Sequence, residues 1–151
     1  MAIRDKIIET TQEIFSSMMM EVVASSEPVT ESSIHNESIT GLIGLAGTHK
    51  GVLAIHMPNK VAIAVTSSFL GMGVEGINTD VEDAIGELAN MLGGNVKAFL
   101  SENGRDISLS LPSTITGEKY NFQMASDDDD RTVVCFESDS GRFHVELQIE
   151  K

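Results

Sequence analysis

The chain has one cysteine, one tyrosine, three prolines and no tryptophan among its 151 residues. A single cysteine excludes an intrachain disulfide. That residue, Cys135, lies in the apolar run Val-Val-Cys-Phe, where a buried thiol fills space.

No segment approaches the ~18 consecutive apolar residues of a membrane-spanning helix. The charges within residues 4–9 are also unlike the start of a signal peptide. We therefore expect a cytoplasmic protein.

Basic residues are scarce as well. The chain has 10 Lys and Arg against 23 Asp and Glu, which gives a formal net charge of −13. Such a charge repels nucleic-acid phosphates and anionic lipid headgroups alike, so we expect neither a nucleic-acid nor a membrane partner. A hydrophobic fraction of 41% is ordinary for a folded protein, and the length suits one domain, residues 1–151.

Two long segments place apolar residues at helical spacing. The first runs from Ile3 to Val22. The second begins at Thr79, whose spacing to Glu82 predicts a capping box, and continues to about residue 103. Between them, Asn59 is expected to cap a short helix that ends at Gly71.

The remaining segments favour strands. β-Branched residues and turn signals predict them in residues 38–47, 51–58, 106–117, 131–139 and 142–150, with turns at 48–50, 127–130 and 139–141. The order helix, strands, helices, strands predicts an α+β fold.

The two long helices carry the same pattern at an offset of 78 positions. Polar residues align in three pairs: Asp5 with Asp83, Glu9 with Glu87, and Gln12 with Asn90. The apolar residues align as well, and strands follow each helix. A duplication into pseudo-repeat halves of about 1–78 and 79–151 is the simplest explanation.

The polar residues of the second long helix share one side of the helical wheel, which carries Asp83, Glu87, Asn90 and Gly94. The apolar residues cluster opposite: Val81, Ile85, Leu88, Leu92, Val96 and Phe99. The polar side is either an ordinary solvated face or a docking face. Each glycine in a helix interior costs about 1 kcal/mol relative to alanine, so Gly93 and Gly94 indicate a requirement other than helix stability. At Gly94 that requirement could be the close approach of a partner.

The pattern Asp83-x-x-x-Glu87-x-x-Asn90, with Pro112 downstream, resembles the signature of the CheC/CheX/FliY family of chemotaxis response-regulator phosphatases. The CheX branch fits best because only one copy of the motif is intact. The resemblance implies a CheC-like fold with one antiparallel or mixed sheet of about six strands and two long helices packed on it.

The same resemblance implies hydrolysis of the aspartyl phosphate on a phosphorylated CheY-like receiver domain. Glu87 and Asn90 would be catalytic, Asp83 and Gly94 would contact the partner, and the first helix would hold a degenerate second site at Glu9 and Gln12. This chain would bind no cofactor or metal, Mg²⁺ would reside on the receiver, and the protein would be a homodimer. The alternatives are a non-catalytic receiver-binding module and a structural subunit related to flagellar switch components.

Other patterns carry less weight. The Gly-x-Gly-x-x-Gly run at 71–76 follows a predicted helix, which is the wrong context for a dinucleotide cradle. The acidic run 127–130 lacks the ligand spacing of a calcium loop and favours a solvated turn. Four histidines show no metal-ligand spacing: His35, His49, His56 and His144.

Overall fold

The computed structural model of the chain describes residues 2–25, 33–34, 37–117, 120–121 and 130–150. These residues form three helices, α1 (Ile3–Ser17), α2 (Asn59–Leu70) and α3 (Thr79–Leu100). They also form nine strands: β1 (Val23–Ala24), β2 (Ser33–Ile34), β3 (Ser38–Gly47), β4 (Gly51–Pro58), β5 (Ile107–Leu109), β6 (Ser113–Gly117), β7 (Tyr120–Asn121), β8 (Asp130–Ser138) and β9 (Gly141–Ile149). The α+β prediction is confirmed.

The main sheet has the strand order β1-β8-β9-β4-β3-β5, and β6 also pairs with β3. All of its pairings are antiparallel, so the mixed alternative is wrong for the described residues. The sheet has seven strands where about six were expected, because β1 joins one edge and the segment 106–117 divides into β5 and β6. β2 and β7 pair separately. The predicted turn at 127–130 lies outside the described residues except for Asp130, which begins β8.

One hydrophobic core joins the three helices to alternate residues of the long strands. Phe143 lies at its centre, with ring-centroid distances of 5.0 Å to Phe15 of α1 and 5.3 Å to Phe136 of β8. The apolar side of α3 is buried as the periodicity predicts, except that Phe99 is 37% exposed near the end of the helix. Cys135 is buried on β8, as expected.

Helix α1 ends earlier than the apolar pattern predicts, at Ser17 instead of Val22. Met19 adopts a left-handed conformation with φ 62°, and the Met20 amide donates to the carbonyl of Phe15 over 2.9 Å. This is the Schellman arrangement that usually places glycine at the position of Met19. The chain therefore turns there without the expected sequence signal.

Helix α3 begins at Thr79 as predicted, but the cap positions of α2 and α3 each lie one residue earlier than expected. Asn78, and not Thr79, caps α3, because its Oδ1 accepts the Val81 amide over 3.0 Å. In α2, Asn59 is the first helical residue and Pro58 holds the cap position without a side-chain hydrogen bond. The predicted end at Gly71 is confirmed by its left-handed conformation, φ 71°.

Helix α3 lies very close to β3. A Cβ atom added to Gly93 would stand 2.8 Å from Cγ2 of Ile43, and one added to Gly41 would stand 2.8 Å from the carbonyl oxygen of Ile85. Both distances are far inside van der Waals contact, so glycine on each element permits the close packing. Gly93 therefore serves internal packing, and it fixes which side of α3 faces outward.

Candidate functional site on helix α3

The outward side of α3 carries the four predicted site residues together. Glu87 and Asp83 are exposed, and Asn90 and Gly94 are half-buried. The residues between them, from Ala84 to Leu92, supply the buried side. Because the helix is anchored by the core along its length, these side chains project from a rigid support.

Neither the Glu87 nor the Asn90 side chain takes part in a hydrogen bond or ion pair with any other residue that the structure describes. A Cβ atom added to Gly94 would find no atom within 4 Å among the described residues outside its own stretch of helix. The carboxylate and the carboxamide are therefore available to an external ligand. The described residues leave the space beside Gly94 open, so packing against them does not require a glycine at this position.

Pro112 borders this face. It lies on the connection between β5 and β6, and a Cβ atom added to Gly86 would lie 3.7 Å from the Cβ of Pro112. Gly86 precedes Glu87 and lies one turn before Asn90 on the same helix. The structure thus brings Pro112 next to the motif, although 22 positions separate it from Asn90 in the sequence.

The matching residues of α1 also share a surface, but their side chains are engaged. Lys6 Nζ lies 3.7 Å from Oε1 of Glu9. The Gln12 carboxamide donates from Nε2 to the carbonyl oxygen of Val22 over 3.3 Å. The carboxamide that would correspond to Asn90 therefore helps to hold the chain that leaves the helix.

The two helices are neighbours. Asn95 of α3 donates from Nδ2 to Oγ1 of Thr10 over 2.5 Å, and Thr10 is buried in their interface. Thr10 and Asn95 lie on sides of their helices that the motif residues do not use. The two polar faces therefore belong to one helical layer but point away from the contact between the helices.

Sequence reasoning missed a polar cluster across β3, β4, β8 and β9, in which Thr40, His56 and Glu146 are buried. Glu146 is only 1% exposed, and its Oε1 lies 3.2 Å from Nη2 of Arg131 and 3.8 Å from Nε2 of His56. The Nδ1 atom of His56 lies 2.9 Å from Oγ1 of Thr40. Glu146 lies at a polar position of the alternating run Val145-Glu146-Leu147, so no signal in the sequence distinguishes this carboxylate.

Charge and burial act in opposite directions within this cluster. Burial raises the pKa of Glu146, but the nearby imidazole of His56 and the hydrogen bond and positive charge of Arg131 outweigh it, so the pKa is lowered overall. Burial lowers the pKa of His144, which is paired with His56 across β4 and β9. No group of three or more potential metal ligands occurs among the described residues, and His35 lies outside them.

None of the helices in the described ranges combines the length and apolar character needed to cross a membrane. The Gly-x-Gly-x-x-Gly segment at 71–76 connects α2 to α3, as the sequence predicted, and does not follow a strand.

The chain is similar in sequence to known proteins over about two thirds of its length. Residues 39–137 match the family model described as chemotaxis phosphatase CheX, and this span includes α3 and Pro112 but not α1. A relative named CheY-P phosphatase CheX, from Thermotoga maritima, is 30% identical over 96 residues, which is 62% of this chain and 61% of that protein. The match thus spans less than two thirds of the length of that relative.

Solved structures share the fold. A CheC-like superfamily protein from Shewanella superposes with a TM-score of 0.85 at 24% identity, covering 99% of this chain and 97% of the other. CheX in a complex with CheY, BeF3 and Mg²⁺, from Borrelia burgdorferi, superposes with a TM-score of 0.76 at 18% identity, covering 99% of each chain. With about two thirds of its length matched by the family model, this chain belongs to the CheX family of chemotaxis phosphatases.

Proposed function

We propose that the chain is a phosphatase that hydrolyses the aspartyl phosphate of a CheY-like response regulator and so terminates a chemotaxis or two-component signal. The observation that carries the proposal is the pair Glu87 and Asn90, which project unengaged from a rigid helix in a member of the CheX family. The relative from Thermotoga maritima is named for this activity. The Borrelia burgdorferi relative was crystallised with CheY, which supports the choice of partner.

Asn90 acts on the attacking water. A carboxamide accepts a hydrogen bond through its oxygen and donates through its nitrogen, so it can hold a water in line with the phosphorus–oxygen bond that breaks. The water adds to phosphorus, the receiver aspartate leaves as a carboxylate, and inorganic phosphate is released. Phosphoryl transfer needs positioning and charge neutralisation more than a protein nucleophile, and this chain supplies the positioning.

Glu87 and the remaining residues of the face orient the receiver. Glu87 pairs with the lysine beside the receiver's phosphate, and Asp83, one turn earlier, extends the acidic contact. Gly94 lets the receiver's backbone approach α3, consistent with the open space around it. Mg²⁺ stays on the receiver, where it neutralises the phosphoryl oxygens, and this chain contributes no ligand to it.

Glu9 and Gln12 form a degenerate second copy of the site. The engagement of Gln12 with Val22 and of Glu9 with Lys6 supports this interpretation, since both side chains would have to leave partners before contacting a receiver. We assign the chain one domain whose halves, about 1–78 and 79–151, arose by duplication. Strand β1, which follows α1, lies beside β8 of the second half, and β5 and β6, which follow α3, lie beside β3 of the first half. This exchange of strands between the halves is consistent with that origin.

We further propose a cytoplasmic homodimer joined through the outer edge of β8. Strand β1 pairs with only Phe136 and Glu137 of that strand, so none of the described strands pairs with the outer side of residues 131–134. Unpaired edges are ready sites for strand addition. Light scattering should report twice the mass of the chain, and a strictly monomeric protein would overturn this arrangement.

The activity is tested by phosphorylating CheY-like receivers from the same genome with acetyl phosphate, removing the donor and following phosphate loss with Mg²⁺ present. The protein should accelerate the loss, and Asn90→Ala should reduce the acceleration about a hundredfold, because a misplaced water costs that order of rate. Circular dichroism should show unchanged folding, since the Asn90 side chain makes no hydrogen bond or ion pair with the described residues. An unchanged rate in Asn90→Ala would remove this residue from the mechanism.

Binding separates catalysis from the non-catalytic alternative. The receiver can be loaded with beryllofluoride and Mg²⁺, a stable stand-in for the phosphoryl group, and titrated with the protein. Tight binding without accelerated phosphate loss for any receiver would favour a docking module over a phosphatase.

A further inference from the structure

The apolar side chain of Leu111 is 88% exposed beside the proposed site. It precedes Pro112, which lies against Gly86 of α3. Isolated exposed leucines are ordinary on protein surfaces, so exposure alone carries no argument. What distinguishes Leu111 is how the backbone on both sides of it is held.

The backbone at Leu111 is a bulge in the edge of the sheet. Leu109 pairs with Leu45 and Ser113 pairs with Leu42, so residues 110–112 lie opposite only residues 43–44 of β3. One extra residue in a strand bends it and redirects a side chain, and such bulges occur often beside active sites.

Fixed neighbours hold this bulge on both sides. Ser110 donates its amide to the carbonyl of Gly44 over 2.9 Å, and its Oγ accepts the Gly44 amide over 2.8 Å. Pro112 has a restricted φ, and its Cβ lies 3.7 Å from where a Cβ of Gly86 would stand on the helix. Leu111 is therefore presented on an ordered backbone, and ordering the segment on binding costs little conformational entropy.

We propose that Leu111 is an apolar anchor that inserts into the surface of the phosphorylated receiver next to its phosphorylation site. This inference rests on the proposed function, because it uses the same partner docked on α3. Leu111 is bonded to Pro112, which faces Gly86, and Gly86 adjoins Glu87, so a receiver that reaches Glu87 also covers this segment. The acidic face provides charge recognition, and Leu111 adds apolar area that is buried only in the complex.

The test compares Leu111→Ser with Ile115→Ser. Ile115 is 41% exposed on the same edge strand, but its neighbour Thr114 faces Gly86, so the alternation of β6 directs Ile115 to the face of the sheet away from the helices. Both variants replace an exposed aliphatic side chain by the same small polar one. Steady-state hydrolysis of the phosphorylated receiver and binding of the beryllofluoride-loaded receiver are both measured.

Leu111→Ser should raise KM and the Kd of the loaded receiver about tenfold, since burying a leucine contributes roughly one decade or more of affinity. Its kcat should stay within about twofold of wild type because the groups that act on the phosphate are untouched. Ile115→Ser should change neither KM nor Kd by more than about twofold.

Equal KM values for Leu111→Ser and the wild type, or equal increases in both variants, would overturn the anchor. Failure of the proposed function gives a different result, namely no hydrolysis by the wild type or no loss of rate in Asn90→Ala. In that case the binding titration with the beryllofluoride-loaded receiver still tests whether Leu111 contributes to receiver binding. A wild type that neither hydrolyses nor binds any receiver overturns both.

Discussion

Helices α1 and α3 carry the same polar spacing, Asp-x-x-x-Glu-x-x-(Gln/Asn), yet their outward faces differ in what the side chains contact. On α3, Glu87 and Asn90 are unengaged by the described residues. On α1, Glu9 lies near Lys6 and Gln12 donates to the backbone at Val22. The same spacing of residue types therefore does not make two equivalent sites.

The two helices also differ in their glycines, which α3 has and α1 lacks at the aligned positions. The 78-residue offset aligns Gly86 with Ile8, Gly93 with Phe15 and Gly94 with Ser16. Gly94 gives the outward face of α3 less bulk than Ser16 gives α1, and the buried Gly86 leaves room for Pro112 and Thr114 beside the helix. Gly93 brings α3 down onto β3, whereas α1 fills the corresponding position with a buried phenylalanine. The difference between the helices lies as much in missing side chains as in the acidic and amide groups.

The largest expected effect is the loss of phosphatase activity when Glu87 of α3, and not Glu9 of α1, is replaced. Glu87→Ala should lower kcat/KM for the phosphorylated receiver about a hundredfold, equivalent to ~2.7 kcal/mol of transition-state stabilisation, because the receiver's lysine loses its partner. Glu9→Ala should change it by less than about twofold. Single-turnover phosphate release measures both. Equal losses in the two variants would show that α1 also carries a working site.

The next effect concerns the fold. Gly93→Ala should destabilise the protein by about 2 kcal/mol, because the new methyl group would stand 2.8 Å from Ile43 and must push the helix from the sheet. Gly94→Ala is the matched control and should be neutral or stabilising by up to ~1 kcal/mol, since its added methyl group meets open space. Urea denaturation compares them. A stable Gly93→Ala protein would mean that α3 can shift on β3.

A bulky residue at position 94 tests close approach directly. Gly94→Leu should raise KM for the phosphorylated receiver about tenfold, because the side chain fills space that the receiver backbone would occupy. Ser16→Leu, at the corresponding position of α1, should leave KM unchanged. Steady-state kinetics measure both variants. If Gly94→Leu binds the receiver normally, this residue does not belong to the docking face.

The smallest effect concerns the contact between the helices. Asn95→Ala removes the donor to the buried Thr10 hydroxyl and should cost about 1 kcal/mol of unfolding free energy. The value of kcat should remain within about twofold, because the contact lies away from both polar faces. Thermal denaturation and the phosphatase assay report the two quantities separately. A large loss of kcat would indicate that α1 positions the site on α3.

The sequence predicts the helical face better than the edges of the sheet. Core residues at a period of 3.6 identify α3, and its outward side stands out because Asn and Gly are unfavourable in a helix interior. The end of α1 was misplaced because Met19 takes a conformation that a methionine rarely adopts. The bulge at Leu111 and the burial of Glu146 depend on pairing and cover from distant segments, which local patterns do not encode.

The strand that follows each long helix joins the sheet beside strands from the other half of the chain: β1 pairs with β8, and β5 and β6 pair with β3. Neither half can complete its sheet until the other has been assembled. Loops that join such distant residues have to close before their contacts become favourable, which slows folding. We therefore expect a slow, cooperative folding transition without a stable half-folded intermediate, and fragments cut between α2 and α3 should acquire structure only when mixed.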